Sequence, residues 1–494
     1  MSRDLYMAII RRRLAAEVGR VDKHAPFRVA LSYPSPYHTG MSSLGFQQIY
    51  RSVQAEPGMA ADRAFLPDDD DDARTVAVTY EQLRPIGDYP VIAFSVAYEL
   101  QLAGVIRMLE TAGIPALREE RSATFPFVLA GGPLTNSNPL PLAPFVDAIV
   151  MGEADTLGVE VLRVLRDAPA REHALDTLAG VPHVFVPSRH GTRMPSLSQC
   201  DDDLLPAWAL IRTPETELSN MFLIETERGC SRGCTYCVMR RSTNGGMRIL
   251  PMDRILGLIP EDVRRVGLVG AAVSDHPKIV EIVRTLVARK AEVGLSSLRA
   301  DKLTDEFVEA LKFAGYRTLT TAMDGTSERV RDTLDRRTRI RHLVRAAELA
   351  RKHQMARLKL YLMLGVPGET DEDIDECVAF VSELSKQTPI ALGIAPFCPK
   401  RNTPLAGAPF AGIALVQARL ERLRRGLAGR ADVRSISAKW AWVESVLAAG
   451  GEAEGRAVLD ACHAGGSFAA YKRAFDALAP TAGKGRRLQV VAPA

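Results

Sequence analysis

Short apolar segments alternate with amphipathic helices in two successive series along this chain, and no other feature limits its fold as strongly. In the first series the apolar runs are nearly continuous, which is typical of parallel strands covered by helices on both faces of the sheet. The sequence therefore predicts a doubly wound α/β domain over residues 27–170. Its predicted strands are FRVALSY (27–33), VIAFSV (91–96), FVLAGG (127–132) and VDAIVMGE (146–153).

The second series begins at residue 221 and contains six apolar segments separated by helices. Thr304 and Thr370 are predicted to start two of these helices, because acidic residues follow each of them in the first helical turn. Six such units predict a partial (β/α)6 barrel over residues 221–405, in which functional groups lie on the loops after the strands. The predicted strands are MFLIETE (221–227), RVGLVG (265–270), EVGLSSL (292–298), RTLTTAMD (317–324), RLKLYLMLG (357–365) and PIALGIAPF (389–397).

The segments outside these two regions have weaker or purely helical patterns. A chain of 494 residues is too long for one core, so a multidomain arrangement is expected. The prediction comprises an N-terminal helical extension (1–26), a proline-punctuated connector (171–220), a small α-rich C-terminal region (406–480) and a flexible tail (481–494).

Composition excludes several classes of protein. The net charge is only +4, and no basic aromatic stripe indicates a nucleic-acid partner. No apolar run approaches the roughly 20 residues that a membrane span requires. The seven scattered cysteines do not form the framework of a disulfide-rich secreted protein, so we expect a reducing, cytoplasmic location.

Three of the seven cysteines lie within eight positions in the stretch ETERGCSRGCTYC (225–237). The spacing is Cys230-x3-Cys234-x2-Cys237, on a loop that follows the first predicted barrel strand. A structural zinc site normally takes four ligands, and this loop supplies three. Three thiolates would leave one iron of a 4Fe-4S cluster without a protein ligand. A non-catalytic iron–sulfur or zinc protein and an enzyme both remain open from the spacing alone.

This motif after the first strand of a six-unit barrel resembles the radical S-adenosylmethionine (SAM) superfamily. The resemblance implies that Cys230, Cys234 and Cys237 bind a 4Fe-4S cluster whose free iron binds SAM. It also implies reductive cleavage of SAM to a deoxyadenosyl radical that attacks an unactivated C–H bond. Tyr236 would lie beside the adenine. An electron donor such as a flavodoxin or a ferredoxin would be the partner.

Other strand ends resemble the superfamily less closely. In YLMLGVPGET (361–370) the main chain near Gly365 would approach the adenine. Asp324 and Ser296 end strands and would hold the SAM ribose, although capping or barrel packing explains them equally well. The second strand lacks the superfamily's Gly-Gly-Glu pattern, so the main chain from Gly270 to Ala272 would contact the SAM amino group.

Cys398 follows the sixth predicted strand, in APFCPKRNTPL (395–405), which resembles the methylthiotransferase-like branch of the superfamily. Its thiol could donate hydrogen to a substrate radical, which would make it a catalytic residue. Packing beside Phe397 as a small apolar side chain is the simpler interpretation.

A flavodoxin-like domain before such a barrel resembles the cobalamin-dependent branch of the superfamily. VALSYPSPYHTGMSSLGFQQIY (29–50) also resembles the front of proteins with a cobalamin-binding-like domain. The cobalt-binding signature Asp-x-His-x-x-Gly is broken around His38: Pro36 stands at the position of the aspartate, and Met41 at the position of the glycine. His38 is therefore a poor candidate for a cobalt ligand. Cobalamin binding, and with it methyl transfer, stays open.

A methylthiotransferase is the alternative within the superfamily. Those enzymes hold a second cluster with three cysteines of their first domain, and this chain has no cysteine before Cys200. That function is therefore nearly excluded, and the sequence does not identify a substrate.

Overall fold

The computed structural model describes residues 3–68, 75–239 and 246–478 of the chain. The predicted flexible tail at 481–494 lies outside these residues. The described residues form an α/β structure with two regions of parallel sheet and a helical C-terminal part.

The first sheet has six strands in the order β2-β1-β3-β4-β5-β6. The five strands β1 to β5 are parallel, in the order of the flavodoxin-like doubly wound fold, and β6 joins the edge antiparallel. Because β6 lies beyond residue 170, the first domain continues into the predicted connector. The strands are β1 (Phe27–Pro36), β2 (Met59–Leu66), β3 (Val91–Ser95), β4 (Phe127–Gly131), β5 (Ala148–Val150) and β6 (Val184–Phe185).

Helices cover both faces of this sheet, because each buries one apolar stripe against the strands. The N-terminal extension contains the predicted helix, whose Tyr6, Met7 and Ile10 are buried in the first domain. The α-helices are α1 (Arg3–Ala16), α2 (Tyr37–Gly40), α3 (Leu44–Ala55), α4 (Leu102–Thr111), α5 (Leu157–Asp167), α6 (Arg171–Ala179) and α7 (Pro187–His190).

The barrel wall consists of seven parallel strands in two sheets, β11-β10-β7 and β12-β13-β14-β15. All six predicted strands are confirmed, and the seventh, β15, pairs with β14 beyond the predicted end of the barrel at residue 405. Strands β8 and β9 form a short antiparallel pair next to the cysteine loop. The strands are β7 (Phe222–Glu225), β8 (Glu227–Gly229), β9 (Met247–Ile249), β10 (Arg265–Val269), β11 (Glu292–Leu295), β12 (Thr318–Asp324), β13 (Arg357–Leu364), β14 (Ile390–Pro396) and β15 (Ala431–Ser435).

The barrel helices pack outside these strands around one extended apolar core. Thr304 caps its helix as predicted, since its side chain accepts the Phe307 N–H, and Thr370 forms a capping box with Asp373. The α-helices are α8 (Met252–Leu258), α9 (Ile279–Ala288), α10 (Asp305–Phe313), α11 (Glu328–Thr333), α12 (Ile340–Lys352), α13 (Asp371–Ser385) and α14 (Ile413–Gly426).

Three C-terminal helices, α15 (Ala438–Ala449), α16 (Glu452–His463) and α17 (Phe468–Leu478), pack against the first domain. The buried Asn138 amide fixes them, because it donates to the carbonyls of Leu447 and Ala448, both at 3.1 Å. These helices thus pack against the first domain, and α15 also contacts β14, the barrel's sixth predicted strand. Among the described residues, no helix has the length and apolar character that crossing a membrane requires.

Candidate active site

The three clustered cysteines lie on the loop that follows β7 and β8. Cys234 is buried, and Cys230 and Cys237 are half-buried. The Thr235 N–H donates to the Leu334 carbonyl at 3.1 Å, and the Cys237 N–H donates to the Cys234 carbonyl at 3.2 Å. These main-chain bonds give the loop a defined shape and attach it to the end of α11.

Ion pairs hold the middle of the loop against neighbouring strand ends. Arg232 pairs with Asp301 at 2.7 Å. Arg299 pairs with the same carboxylate at 2.9 Å and with Asp275 at 2.8 Å, and Asp275 accepts a hydrogen bond from Ser231. The Arg299 guanidinium is thus committed to two carboxylates that steady the cysteine loop.

Asp324 links the fourth barrel strand to the cysteine loop. Its carboxylate accepts a hydrogen bond from the Tyr236 hydroxyl and forms an ion pair with Arg336. The Arg336 guanidinium lies 4.0 Å from the Cys234 sulfur. Burial raises the pKa of the Asp324 carboxyl, and Arg336 offsets part of that rise. Two sequence-predicted site residues therefore meet here, and contact of either with SAM stays a prediction.

The thiols fit a cluster better than a single ion. All seven cysteines are free. Burial raises the pKa of Cys237, and the neighbouring Cys234 and Cys230 add to the rise, so the three groups are close enough to interact. In the described part of the chain, their sulfurs do not all lie within 4.8 Å of one another. A structural zinc ion needs four ligands, and each sulfur ligand lies about 2.3 Å from the metal. In a 4Fe-4S cluster, by contrast, each thiolate binds a different iron, so the sulfurs can lie farther apart.

Glu227 is a feature of this site that sequence reasoning missed. Its side chain is fully buried, accepts the Ala272 N–H at 2.8 Å, and accepts a bond from the Thr226 hydroxyl. A Cβ at Gly270 would overlap this carboxylate. The Ser296 hydroxyl is also engaged, since it donates to the Gly270 carbonyl at 2.8 Å. The stretch Gly270–Ala272, which was predicted to contact the SAM amino group, thus packs around the Glu227 carboxyl group. The one signal for this residue in the sequence is its place in E-R-G-C, three positions before Cys230.

Gly365 has a left-handed conformation, with φ of +80°. Its N–H donates to Glu369 at 2.7 Å, and a Cβ there would lie 2.8 Å from Ala411. The glycine is required by this turn and by the close approach of residue 411. Its predicted approach to an adenine stays a prediction.

Cys398 lies after β14, half-buried between the barrel and α15. Its thiol donates to the Ala441 carbonyl at 3.1 Å. Lys400 binds the carboxylates of Glu99 and Glu444 nearby, at 2.7 Å each. Burial, with Glu444 adding to it, raises the pKa of the Cys398 thiol. The sulfur is thus a protonated thiol bonded to a helix carbonyl, an arrangement that packing accounts for.

A cavity of about 360 Å³ lies at the carboxyl ends of the first sheet, between the first domain and the barrel. Cavities of this size are typical of sites for small molecules and cofactors. Five glycines line it, Gly45, Gly131, Gly132, Gly152 and Gly158, and Met239, which follows the three cysteines, also reaches it. Its lining includes Leu31, Leu44, Gln48, Ala93, Leu129, Gly131, Gly132, Val150, Gly152, Asp155, Glu225, Arg228, Met239 and Val269.

His38 does not contribute to this cavity wall within the described residues. Its Nδ1 lies 3.9 Å from an oxygen of Asp68, which is too long for a hydrogen bond, and its side chain is 43% exposed. That His38 is not a cobalt ligand stays a prediction.

Two family models match the chain. The model of the radical SAM N-terminal region matches residues 45–187, and the model of the radical SAM superfamily matches residues 224–381. The two matches coincide with the first domain and with most of the barrel, including the cysteine loop.

The chain is also similar in sequence to proteins of other organisms. An uncharacterized protein of Methanocaldococcus jannaschii is 28% identical over 76% of this chain and 78% of its own length. The 2-(S-pantetheinyl)-carbapenam-3-carboxylate methyltransferase of Streptantibioticus cattleyicolor is 26% identical over 56% of this chain, which spans only 44% of that relative.

Among solved structures, the chain resembles the cobalamin-dependent SAM radical enzyme OxsB with aqua-cobalamin bound. The TM-score is 0.51 at 12% identity, with 74% of this chain and 53% of that chain covered. This likeness concerns the fold alone.

Proposed function

We propose that this chain, a member of the radical SAM superfamily, is an enzyme that reductively cleaves SAM to start radical chemistry on an unactivated C–H bond. The 4Fe-4S cluster and SAM are the cofactors that the superfamily implies. The observation that carries the proposal is the loop with Cys230, Cys234 and Cys237, three free thiols fixed at the carboxyl end of the first barrel strand.

The chain's own residues would hold these groups as follows. Cys230, Cys234 and Cys237 would bind three irons of the cluster, which leaves the fourth iron free for SAM. When bound, the cluster supplies the electron that splits SAM into methionine and a deoxyadenosyl radical. Arg336, 4.0 Å from the Cys234 sulfur, would balance part of the negative charge of the thiolates. Tyr236 would lie beside the adenine.

The main-chain groups near Gly270 and Ala272, which the sequence predicted to contact the SAM amino group, are replaced in this proposal by the Glu227 side chain. Because the Ala272 N–H already donates to Glu227, the Glu227 carboxyl rather than a free amide would face the SAM amino group. Asp324 and Ser296 would contact the ribose only if their present bonds to Arg336 and Gly270 were shared or exchanged.

Anaerobic reconstitution with iron and sulfide tests the proposal. We expect the wild type to gain the charge-transfer absorbance of an iron–sulfur centre and to form deoxyadenosine from SAM after reduction by dithionite or a flavodoxin. Cys230→Ala, Cys234→Ala and Cys237→Ala should each lose both signals, because three thiolates are the whole protein ligand set. Cys462→Ala, in α16, is the matched control and should keep them. Full iron and sulfide content in the triple variant would sink the proposal.

A second candidate function is cobalamin-dependent methyl transfer. The cavity between the first domain and the barrel favours it, because a cofactor bound there would lie next to the cysteine loop through Met239. Gly131, Gly132 and Gly152 line this cavity, and at Gly132 and Gly152 the lack of a Cβ allows the main chain of Val96 and Ser198 to pack closely behind the wall. Among the described residues, no histidine lines this cavity, so the proposal includes no histidine ligand to cobalt.

Titration of the reconstituted protein with hydroxocobalamin tests this candidate. We expect binding in the wild type, and we expect the cobalamin spectrum to be unchanged by His38→Ala. Loss of cobalt–nitrogen coupling in that variant would contradict the assignment of His38 as a non-ligand.

A further inference from the structure

A buried carboxylate oxygen without a partner lies in the wall of the cavity. The Asp155 side chain is only 7% exposed, and its Oδ2 accepts a hydrogen bond from Arg228 at 3.0 Å. Its Oδ1 has no hydrogen-bond partner among the described residues. Buried carboxylate oxygens rarely stay unpaired, because water has been removed and nothing replaces its hydrogen bonds. The free oxygen can therefore accept a hydrogen bond from a group outside the described residues, such as a bound ligand.

A metal ion does not account for this oxygen. Glu153, Asp155 and Cys200 bring one ligand atom each within 4.8 Å of one another, as a metal site would. The Arg228 guanidinium, however, already contacts all three, at 3.4 Å, 3.0 Å and 3.2 Å respectively. This cation occupies the place that a metal ion would take.

The other carboxylates of the wall are satisfied by protein groups. Glu225 gives both oxygens to Arg228, at 2.7 and 2.9 Å. Glu153 accepts a bond from Arg248. Asp155 is thus the carboxylate of this wall with an oxygen to spare, and most of the surrounding lining is apolar. An anionic ligand group would be repelled there, whereas a neutral N–H group would be held.

We propose that Asp155 is the recognition point of the cavity and accepts a hydrogen bond from a carboxamide N–H of the bound ligand. The inference rests on the proposed binding of cobalamin, whose corrin ring carries carboxamide groups around its edge. Asp155 also connects the occupant to the cysteine loop, because its partner Arg228 lies two residues before Cys230.

Hydroxocobalamin binding to the full-length, reconstituted protein tests the inference. We expect Asp155→Ala to weaken binding about 10- to 100-fold, as expected for loss of a hydrogen bond to a charged group. Asp155→Asn, which keeps the shape and a weaker acceptor, should fall between the wild type and Asp155→Ala. Asp167→Asn is the matched control, because Asp167 is an exposed aspartate of the first domain that pairs with Arg166 and lies outside the cavity lining, and it should bind within about threefold of the wild type.

The chemical class of the recognised group is tested with two corrinoid probes. Dicyanocobinamide keeps the carboxamides, whereas dicyanocobyrinic acid carries carboxylates in their place. We expect the wild type to prefer the first probe, and Asp155→Ala or Asp155→Asn to lose a large part of that preference.

The outcomes separate the two proposals. If the wild type binds no corrinoid, both the cobalamin proposal and this inference are overturned. If the wild type binds hydroxocobalamin and the two Asp155 variants bind it equally well, only the role of Asp155 is overturned. An unchanged probe preference in a folded Asp155→Asn protein has the same meaning.

Discussion

The barrel end and the first-domain cavity face each other, but different forces hold them in shape. At the barrel end, ionisable side chains lie next to the cysteine loop with little exposure: Glu227 is fully buried, and Asp324 and Arg336 are 13% and 11% exposed. In the cavity wall, close backbone contacts dominate, and a Cβ at Gly132 would lie 2.7 Å from the Val96 carbonyl oxygen. We therefore expect the barrel end to be sensitive to the removal of charge and the cavity wall to be sensitive to added atoms.

The largest effect is expected at Asp324. Asp324→Asn removes the carboxylate from Arg336, whose guanidinium would stay buried without its partner. Breaking a buried ion pair in this way costs about 3–5 kcal/mol. Asparagine tolerates the left-handed conformation that residue 324 adopts, with φ of +64°, so backbone strain does not contribute. The free energy of unfolding, measured with denaturant, and the iron content after reconstitution should both decrease.

Asp335→Asn is the matched control for this prediction. Asp335 also has a positive φ, +45°, and pairs with an arginine, but it and Arg337 are exposed, at 39% and 63%. The control should cost less than about 1 kcal/mol, as exposed ion pairs do. Equal losses of unfolding free energy in Asp324→Asn and Asp335→Asn would show that the burial of the ion pair does not make the barrel end sensitive to the removal of charge.

The second effect concerns the cavity wall. Gly132 has φ of +103° and ψ of −177°, a region that only glycine occupies readily, and its Cα lies against Val96. Gly132→Ala should therefore lower the free energy of unfolding by about 3 kcal/mol. Gly131→Ala is the control, because a Cβ there meets nothing closer than 3.6 Å. A control that loses as much stability as Gly132→Ala would contradict the steric account.

The sequence predicted both regions, but not what holds them. Continuous apolar runs predicted four strands of the first sheet. The strand β2 was missed because Asp62 and Arg63 interrupt its apolar run. Both are buried, and they are neutralised by Arg28 and Glu17 from distant segments. The strand β15 was not assigned to the barrel because its short sequence ADVRS, in which half-buried and exposed residues alternate, does not show which strand it pairs with. Pairing with β14 alone places it there.

The same limit applies to the site. The cysteine loop could be identified because its ligands are close in sequence. Asp155 and Arg228 are 73 positions apart, and only the packing of the first domain on the barrel brings them together. No local spacing marks such a pair. The docking of the C-terminal helices on the first domain through Asn138 was likewise beyond the sequence.

The third prediction concerns the pH dependence of stability that the buried Glu227 carboxyl group gives to the barrel end. Burial raises the pKa of Glu227 from its usual 4.5 to about 7. Between these values the folded state keeps a proton that the unfolded state has released, so stability falls as pH rises through this range. The loss is about 1.4 kcal/mol per pH unit and about 3 kcal/mol above pH 7.

Glu227→Gln should remove this part of the pH dependence, because glutamine is neutral at every pH and keeps an acceptor for the Ala272 N–H. Urea unfolding at pH 5 and pH 8 measures it, with Glu261→Gln on the surface as the control. Wild type and Glu227→Gln with the same pH profile would show that the carboxyl group does not titrate in this range.

The smallest effect is expected at Cys398, where the two regions and α15 meet. Its thiol gives a weak hydrogen bond to the Ala441 carbonyl, and Cys398→Ala removes one small, half-buried atom. The free energy of unfolding should fall by only about 1 kcal/mol. If packing is its whole role, deoxyadenosine and product should form at unchanged rates once a substrate is known. A hydrogen donor would behave differently, because deoxyadenosine would still form while the product was lost or altered. Cys398→Ser, which restores a hydroxyl donor for Ala441 without a weak S–H bond, separates the two cases. It should behave as the wild type if the thiol only packs, and as Cys398→Ala if the thiol delivers hydrogen.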